Sequence, residues 1–140
     1  MNYYLIKPEV PAGIGEESII ERIQGQPLKI LNLHLVFDGW HGSDLMKTSP
    51  VFYITEKLYN KLIECSFSGI EGFEKAKVDK SDNFLELYPE LELPDFYWMK
   101  INGTPKKSDF GLEALKLVVS EPVKIFLEEF SLVGASIIPL

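Results

Sequence analysis

The sequence predicts an α+β fold in a single domain spanning residues 1–140, with a mixed or antiparallel sheet and a few short helices. Three observations support this prediction. The segment LKILNLHLVF, residues 28–37, alternates between apolar and polar positions, which is the period of a strand with one buried face. Two later segments pass from apolar strand residues into capped helical stretches. A chain of 140 residues can bury a core without disulfides, and its single cysteine, Cys65, allows no intrachain disulfide.

Local patterns predict the first elements in order. We expect a strand over residues 3–6, ended by the prolines and glycines that follow it. We expect a short helix over residues 16–23. The strand over residues 28–37 comes next. Its predicted buried face carries Leu31, Leu33, Leu35 and Phe37, and the opposite face carries Asn32 and His34.

Two segments match at a constant offset of 65 residues. YITEKLYNKLIECSFSGIEGF begins at residue 53 and ends at 73, and VVSEPVKIFLEEFSLVGASII begins at residue 118 and ends at 138. Each contains strand residues, then Thr55 or Ser120, whose side chain can cap a helix by accepting a bond from a free backbone N–H. A Glu in the first turn and a later Gly complete the pattern. The sequence therefore predicts two strand–helix–strand units, either as an internal repeat or as two occurrences of a common supersecondary shape.

The segment between these units is acidic and aromatic. Residues 81–97 contain five acids and no basic residue. Pro89 and Pro94 limit any helix to about Leu87, and a turn and a strand over residues 96–101 are expected to follow. Aromatic residues offer contact area and acids steer a basic partner, which favours a protein-binding surface. The alternative is an ordinary solvated face whose apolar residues point to the core.

The stretch FDGWHGSDLM, residues 37–46, combines residue types that can bind metals or transfer protons. Within the stretch these residues are Asp38, His41 and Asp44, and His34 lies just upstream of it. Their spacing matches no metal motif, whereas Asp38–Gly39 is a strong turn dipeptide. We interpret the stretch as a turn, followed by a second turn or a helix cap, with Trp40 packed at the domain edge and its indole N–H bonded locally. No catalytic residue, metal ligand or cofactor is predicted.

Charge and motif content argue against several classes of function. The formal net charge of −7 argues against nucleic acid as a ligand. The signatures of common hydrolases, nucleotide-binding proteins and metalloenzymes are absent, so we do not predict an enzyme. We found no secretory signal and no run of 18 apolar residues, and we expect a cytoplasmic protein that does not bind membranes.

Several short motifs occur in a recognisable order. They are YYLI, FDGW followed by GSDL, VFYITEKL, SGIEGFEKAKV, SDNFLELYPELELPDFYWMKING, SDFGL and KLVVSEPVKIFLEEF. Together they resemble the immunity proteins of bacterial polymorphic toxin systems, in the group named after a Myxococcus immunity protein and earlier catalogued as a domain of unknown function. The resemblance covers nearly the whole chain. It implies an antitoxin that binds and blocks a cognate toxin, but it brings no established binding residues.

From the residues and the resemblance together, we expect an immunity protein whose partner is a basic protein toxin. The expected partner-facing residues are Asp38, Trp40, His41, Asp44, Glu86, Glu90, Glu92 and Asp95. Two alternatives remain open. One is a small cytosolic interaction or regulatory module, and the other is an enzyme that uses His41 with Asp38 or Asp44.

Overall fold

The computed structural model describes residues 2–26 and 28–140, which form thirteen strands and three helices. The strands are β1 (Tyr3–Lys7), β2 (Ala12–Ile14), β3 (Ile19–Glu21), β4 (Lys29–Asn32), β5 (His34–Phe37), β6 (Leu45–Thr48), β7 (Val51–Thr55), β8 (Ile70–Lys75), β9 (Lys77–Lys80), β10 (Phe96–Ile101), β11 (Phe110–Glu113), β12 (Lys116–Ser120) and β13 (Ser136–Pro139). The helices are α1 (Glu56–Leu62), α2 (Asp82–Leu87) and α3 (Glu121–Leu127). Within the described ranges, no helix has the length and apolar character needed to cross a membrane.

The strands form four sheets. Two antiparallel sheets have four strands each, in the orders β11-β12-β1-β13 and β6-β7-β10-β8. A third sheet, β2-β5-β9, is mixed because β5 and β9 run parallel, and β3 and β4 form a two-stranded sheet. The predicted α+β class, with mixed and antiparallel sheets and a few short helices, is therefore confirmed.

Two units of the chain build the four-stranded sheets in the same order. In the first unit, residues 45–75, hairpin β6–β7 leads into α1 and then β8. In the second unit, residues 110–139, hairpin β11–β12 leads into α3 and then β13. The bounds of both hairpins and both helices correspond at the offset of 65 residues. Each helix is followed by a glycine with positive φ, Gly69 at 98° and Gly134 at 77°, a conformation that glycine adopts at low cost.

Each four-stranded sheet is completed by a strand from outside its unit. β10 lies between β7 and β8 of the first unit, and β1 lies between β12 and β13 of the second unit. The two added strands share a register, because Tyr97 lies opposite Ile54 and Tyr4 lies opposite the equivalent Val119. In the chain, β1 precedes the first unit and β10 precedes the second. β10 therefore pairs with the unit that precedes it in the chain, and β1 pairs with the second unit, which is distant from it in the chain.

Asp44, directly before β6, links the two units. Its carboxylate accepts hydrogen bonds from the Thr55 hydroxyl in the first unit (2.6 Å) and from the Ser131 backbone N–H in the second unit (2.9 Å). Asp44 is only 4% exposed, so these internal donors replace water as partners of its carboxylate. Thr55 also accepts a bond from the Leu58 N–H, which confirms the predicted cap at the start of α1.

Asp109, directly before β11, makes the equivalent link. Its carboxylate accepts from the Ser120 hydroxyl in the second unit (2.7 Å) and from the Ser68 N–H in the first unit (2.9 Å). Burial alone would raise the pKa of Asp109, but the hydrogen bonds from Ser68 and Ser120 outweigh burial and hold this pKa below its ordinary value. α3 begins after Ser120 as predicted, but the predicted side-chain cap is wrong, because the Ser120 hydroxyl donates to Asp109 instead of accepting from the helix.

Two apolar clusters lie on either side of β7, whose five residues are all buried. Phe52 and Ile54 belong to a first cluster, which also contains residues of α1 and α3. Val51 and Tyr53 belong to a second cluster, which contains Phe84 of α2. Because neighbouring residues of a strand point to opposite faces, β7 divides the core into these two parts.

The predicted helix over residues 16–23 is wrong, because this region contains β3, which pairs with β4. Ile19 and Ile20 are β-branched and suit a strand. In addition, the Ser18 hydroxyl accepts from the His34 N–H (2.8 Å) and donates to the His34 carbonyl (3.0 Å). These non-local bonds fix an extended backbone where local sequence favoured a helix turn.

The predicted strand over residues 28–37 is two strands in different sheets. β4 ends at Asn32 and β5 begins at His34, and the Leu33 carbonyl between them accepts from the Lys77 N–H (3.1 Å). Leu33, Leu35 and Phe37 are buried as expected. Leu31 is 45% exposed, because β4 does not share the buried face of β5.

The carboxylate link at Asp44 should stabilise the fold more than the link at Asp109. Asp44→Ala leaves the buried Thr55 hydroxyl without an acceptor and removes the partner of the part-buried Ser131 N–H, and each such loss costs roughly 1–3 kcal/mol. We expect the free energy of unfolding to fall by about 3 kcal/mol for Asp44→Ala and by about 1 kcal/mol for Asp109→Ala, whose surroundings are more accessible to water. Urea unfolding followed by circular dichroism measures both values. An equal or smaller loss for Asp44→Ala would contradict this ranking.

The lowered pKa of Asp109 predicts a specific pH dependence. A carboxyl group whose pKa is lower in the folded state stabilises the fold above its unfolded pKa, about 4, and loses that contribution as the pH falls through the folded value. The stability difference between the wild type and Asp109→Asn should therefore be constant near neutral pH and shrink below about pH 4. Urea unfolding at several pH values tests this, and a difference that grows on acidification would contradict it.

Candidate functional site

The segment between β5 and β6, residues 38–44, is a loop that bends at Asp38, Gly42 and Asp44, and the turn expected at Asp38–Gly39 is not formed, since positive φ occurs at Gly42 (91°) and not at Gly39. The Asp38 N–H donates to the Pro11 carbonyl (3.0 Å), and the Trp40 indole N–H donates to the Ser43 carbonyl (2.9 Å). Trp40 is half-buried and meets the ring of Phe96 edge to face, with 5.9 Å between centroids. The expectation for Trp40 is confirmed. The alternative of a helix cap is wrong, because Leu45 begins strand β6.

This loop lies against the end of α2. The rings of His41 and Tyr88 meet edge to face, with centroids 6.2 Å apart. A side chain at Gly39 would lie 3.3 Å from the Tyr88 ring, so the backbone of the loop also approaches that ring closely. At the other end of α2, the Ser81 N–H donates to the Phe37 carbonyl (2.9 Å). The loop after β5 and the acidic segment that begins at Ser81 therefore lie side by side. We call the surface that they form the α2 surface.

α2 is a short helix, and one of its faces packs against the core. Ser81 caps it by accepting from the Phe84 N–H (3.1 Å). Phe84 is fully buried, Tyr88 is half-buried one turn later, and their rings meet at 5.8 Å. The helix ends at Leu87, as predicted, before Pro89. The aromatic residues of this segment thus face inward, as the alternative of a solvated acidic face required.

The carboxylates of the α2 surface differ in whether a basic side chain pairs with them. Glu86, Glu90 and Glu92 are exposed and form no ion pair within residues 2–26 and 28–140. Asp95 is exposed as well but pairs with Lys75 (3.3 Å). Lys80 lies close by, but its ammonium group donates to the Leu91 carbonyl (2.6 Å). Three carboxylates of one short segment are therefore exposed without a paired cation among the described residues.

The structure changes the set of partner-facing residues predicted from sequence. Asp38 and His41 are exposed, and Trp40 offers part of its ring. Asp44 does not belong to this surface, because it is 4% exposed and both carboxylate oxygens accept internal bonds.

Sequence analysis missed two apolar residues of this surface. Leu85 is 50% exposed and Leu87 is 66% exposed. A helical projection from Phe84 and Tyr88 could have found them, because residues one position away from a buried stripe lie at its flanks.

His34, named above as a possible metal ligand or proton donor, is buried in a different place. It is 4% exposed, and its Nε2 lies 2.6 Å from an oxygen of Asp79 in the parallel strand β9. Its Nδ1 accepts from the Glu17 backbone N–H (3.2 Å). Because Nδ1 accepts, Nε2 carries the proton and donates to Asp79.

Glu17, His34 and Asp79 have potential metal-binding atoms within 4.8 Å of one another. A metal at this position would need a free lone pair on the imidazole, but both ring nitrogens are engaged. The Glu17 carboxylate also pairs with Lys77, and this hydrogen bond raises the pKa of Lys77. The arrangement fits a buried histidine that joins β5, β9 and the turn before β3.

The geometry around His41 does not assemble an acid–base pair. His41 is exposed, and its ring forms no hydrogen bond with Asp38 or Asp44 within the described part of the chain. A general base is held by a second group that orients its ring. The His41 ring packs against Tyr88, and its imidazole nitrogens remain open to a partner.

Comparison with known proteins gives no relative. No family model, no curated protein and no solved structure matches this chain.

The packing of His34 predicts a steric requirement at Gly15. A Cβ atom at Gly15 would lie 2.1 Å from His34 Nδ1, so Gly15→Ala must displace the ring and break its bonds to Glu17 and Asp79. We expect the free energy of unfolding to fall by about 2 kcal/mol or more. Gly13→Ala is the matched control, because a Cβ there meets no atom within 4 Å. Equal melting temperatures for the two variants would contradict this account of His34.

Proposed function

We propose that this protein is an immunity protein that binds a cognate bacterial toxin in the cytoplasm and neutralises it by direct protein contact. The observation that carries this proposal is the α2 surface. It joins the loop at residues 38–41 to α2 and to the segment that follows α2, in which Glu86, Glu90 and Glu92 are exposed and form no ion pair within the described residues. The order of motifs along the chain, which resembles polymorphic-toxin immunity proteins, supports the same proposal.

The electrostatics of the α2 surface suit a basic protein partner. Unpaired carboxylates on one side of a chain with a net charge of −7 attract a positively charged surface over about a Debye length, roughly 10 Å at 0.1 M salt. Such attraction speeds association and disfavours acidic partners. A protein that must capture a toxin before the toxin acts benefits from fast association.

A cytosolic interaction or regulatory module would use the same surface for a different partner. That alternative differs from the proposal in outcome and not in geometry, because only an immunity protein protects cells from a toxin. The enzyme alternative has no assembled acid–base pair to support it.

Co-expression tests the proposal. The product of the gene directly upstream is expressed in a host that it kills, with or without this protein, and survival and co-purification are scored. We expect rescue and a stable complex. Toxicity without rescue would contradict the proposed function.

A charge-reversed variant tests whether the α2 surface is responsible. Glu86→Lys, Glu90→Lys and Glu92→Lys together should abolish rescue at equal soluble expression. The matched control carries Glu64→Lys, Glu71→Lys and Glu129→Lys, which change the net charge equally at exposed acids without ion pairs in the described residues. Loss of rescue in the control alone would assign binding to another surface.

A further inference from the structure

α2 exposes apolar side chains although it has only six residues. Successive helix residues are about 100° apart. Phe84 and Tyr88 define the inward direction, so Glu86 points away from the core and Leu85 and Leu87 lie on its two flanks. The outer side of α2 is therefore a carboxylate between two leucines that are 50% and 66% exposed.

Glu86 is unfavourable for the helix that carries it. Asp82 and Glu86 are four residues apart, a spacing at which like charges repel and destabilise a helix. The last turn of α2 contains no basic residue, although a cation there would interact favourably with the helix dipole. Stability of the isolated chain therefore does not explain a glutamate at position 86.

α3 shows the usual arrangement on the same scaffold. It also exposes an apolar residue, Ile125, at 58%. However, its last turn contains Lys124, which pairs with Glu128 at 2.8 Å across one helical turn. The exposed apolar residue of α3 thus follows a lysine that forms an ion pair, whereas Glu86, between the two leucines of α2, forms no ion pair within the described residues. Exposed apolar residues beside unpaired charges are typical of a protein interface, in which apolar residues lie at the buried centre and charged residues lie at the rim.

We infer that Leu85 and Leu87 are the apolar anchors of the α2 surface, and that they dock in an apolar depression bordered by lysine and arginine side chains on the partner protein. This inference rests on the proposed function, since it describes how the same surface binds the toxin. The leucines leave water only in the complex, so they slow dissociation. Glu86 and its neighbours attract the basic rim, so they speed association.

The test measures association and dissociation rates with the purified upstream gene product as the probe. Leu87→Ser should leave the association rate unchanged and increase the dissociation rate about tenfold. Glu86→Lys should lower the association rate about tenfold at low salt, with a smaller effect at high salt. Its melting temperature should equal or exceed that of the wild type, because the new lysine attracts Asp82 and suits the last turn of the helix.

Two matched controls are Ile125→Ser and Glu129→Lys, which make the same changes on or just after α3. Both should bind like the wild type. If the wild type does not bind the probe, the proposed function fails. If the wild type binds and all four variants bind equally well, the proposed function stands and the assignment of the leucines is overturned. A lower melting temperature for Glu86→Lys would overturn the binding role given to Glu86, because Glu86 would then stabilise the fold.

Discussion

The exchange of strands between the two units is the constraint on which the rest of the structure depends. β1, near the start of the chain, completes the sheet of the second unit, and β10, between the two units, completes the sheet of the first. Asp44 and Asp109 lie directly before the two hairpins, and each carboxylate joins a hydroxyl of its own unit to a backbone N–H of the other. Backbone ladders and buried carboxylates therefore hold the same junction. Separation of the units would expose sheet edges and leave buried polar groups without partners.

This constraint also positions the α2 surface. The loop at residues 38–43 is held between β5 and Asp44, whose carboxylate is fixed by both units. The acidic segment begins at the Ser81 cap and ends at Phe96, a fully buried residue of the exchanged strand β10. Both parts of the surface are thus anchored at both ends. A surface that is already ordered loses less conformational entropy on binding, which favours affinity.

Much of the fold could be predicted from local sequence, because caps, turns and strand periods act over a few residues. The start of α1 follows from the Thr55 cap, the start of α3 from the proline in its first turn, Pro122, and the end of α2 from Pro89. The choice of strand partners could not be predicted, because pairing depends on contacts that are distant in sequence. The same reason explains the failed helix at residues 16–23, where pairing with β4 prevailed.

The candidate site was predictable in its charges and less so in its burial. Glu86, Glu90 and Glu92 are exposed, as expected for carboxylates in a segment that contains no basic residue of its own. Asp44 resembles an exposed turn residue in sequence, and its burial depends on donors from Thr55 and Ser131. The leucines of α2 are exposed because six residues can turn only one stripe inward.

Hydrogen–deuterium exchange of the intact protein, with and without the purified upstream gene product, tests the central claim most directly. The account predicts that binding slows exchange in residues 38–41 and 82–93 and leaves the backbone of α1 and α3 unchanged. Slowed exchange confined to α1, α3 or the β3–β4 hairpin would contradict it, because the partner would then bind away from the α2 surface.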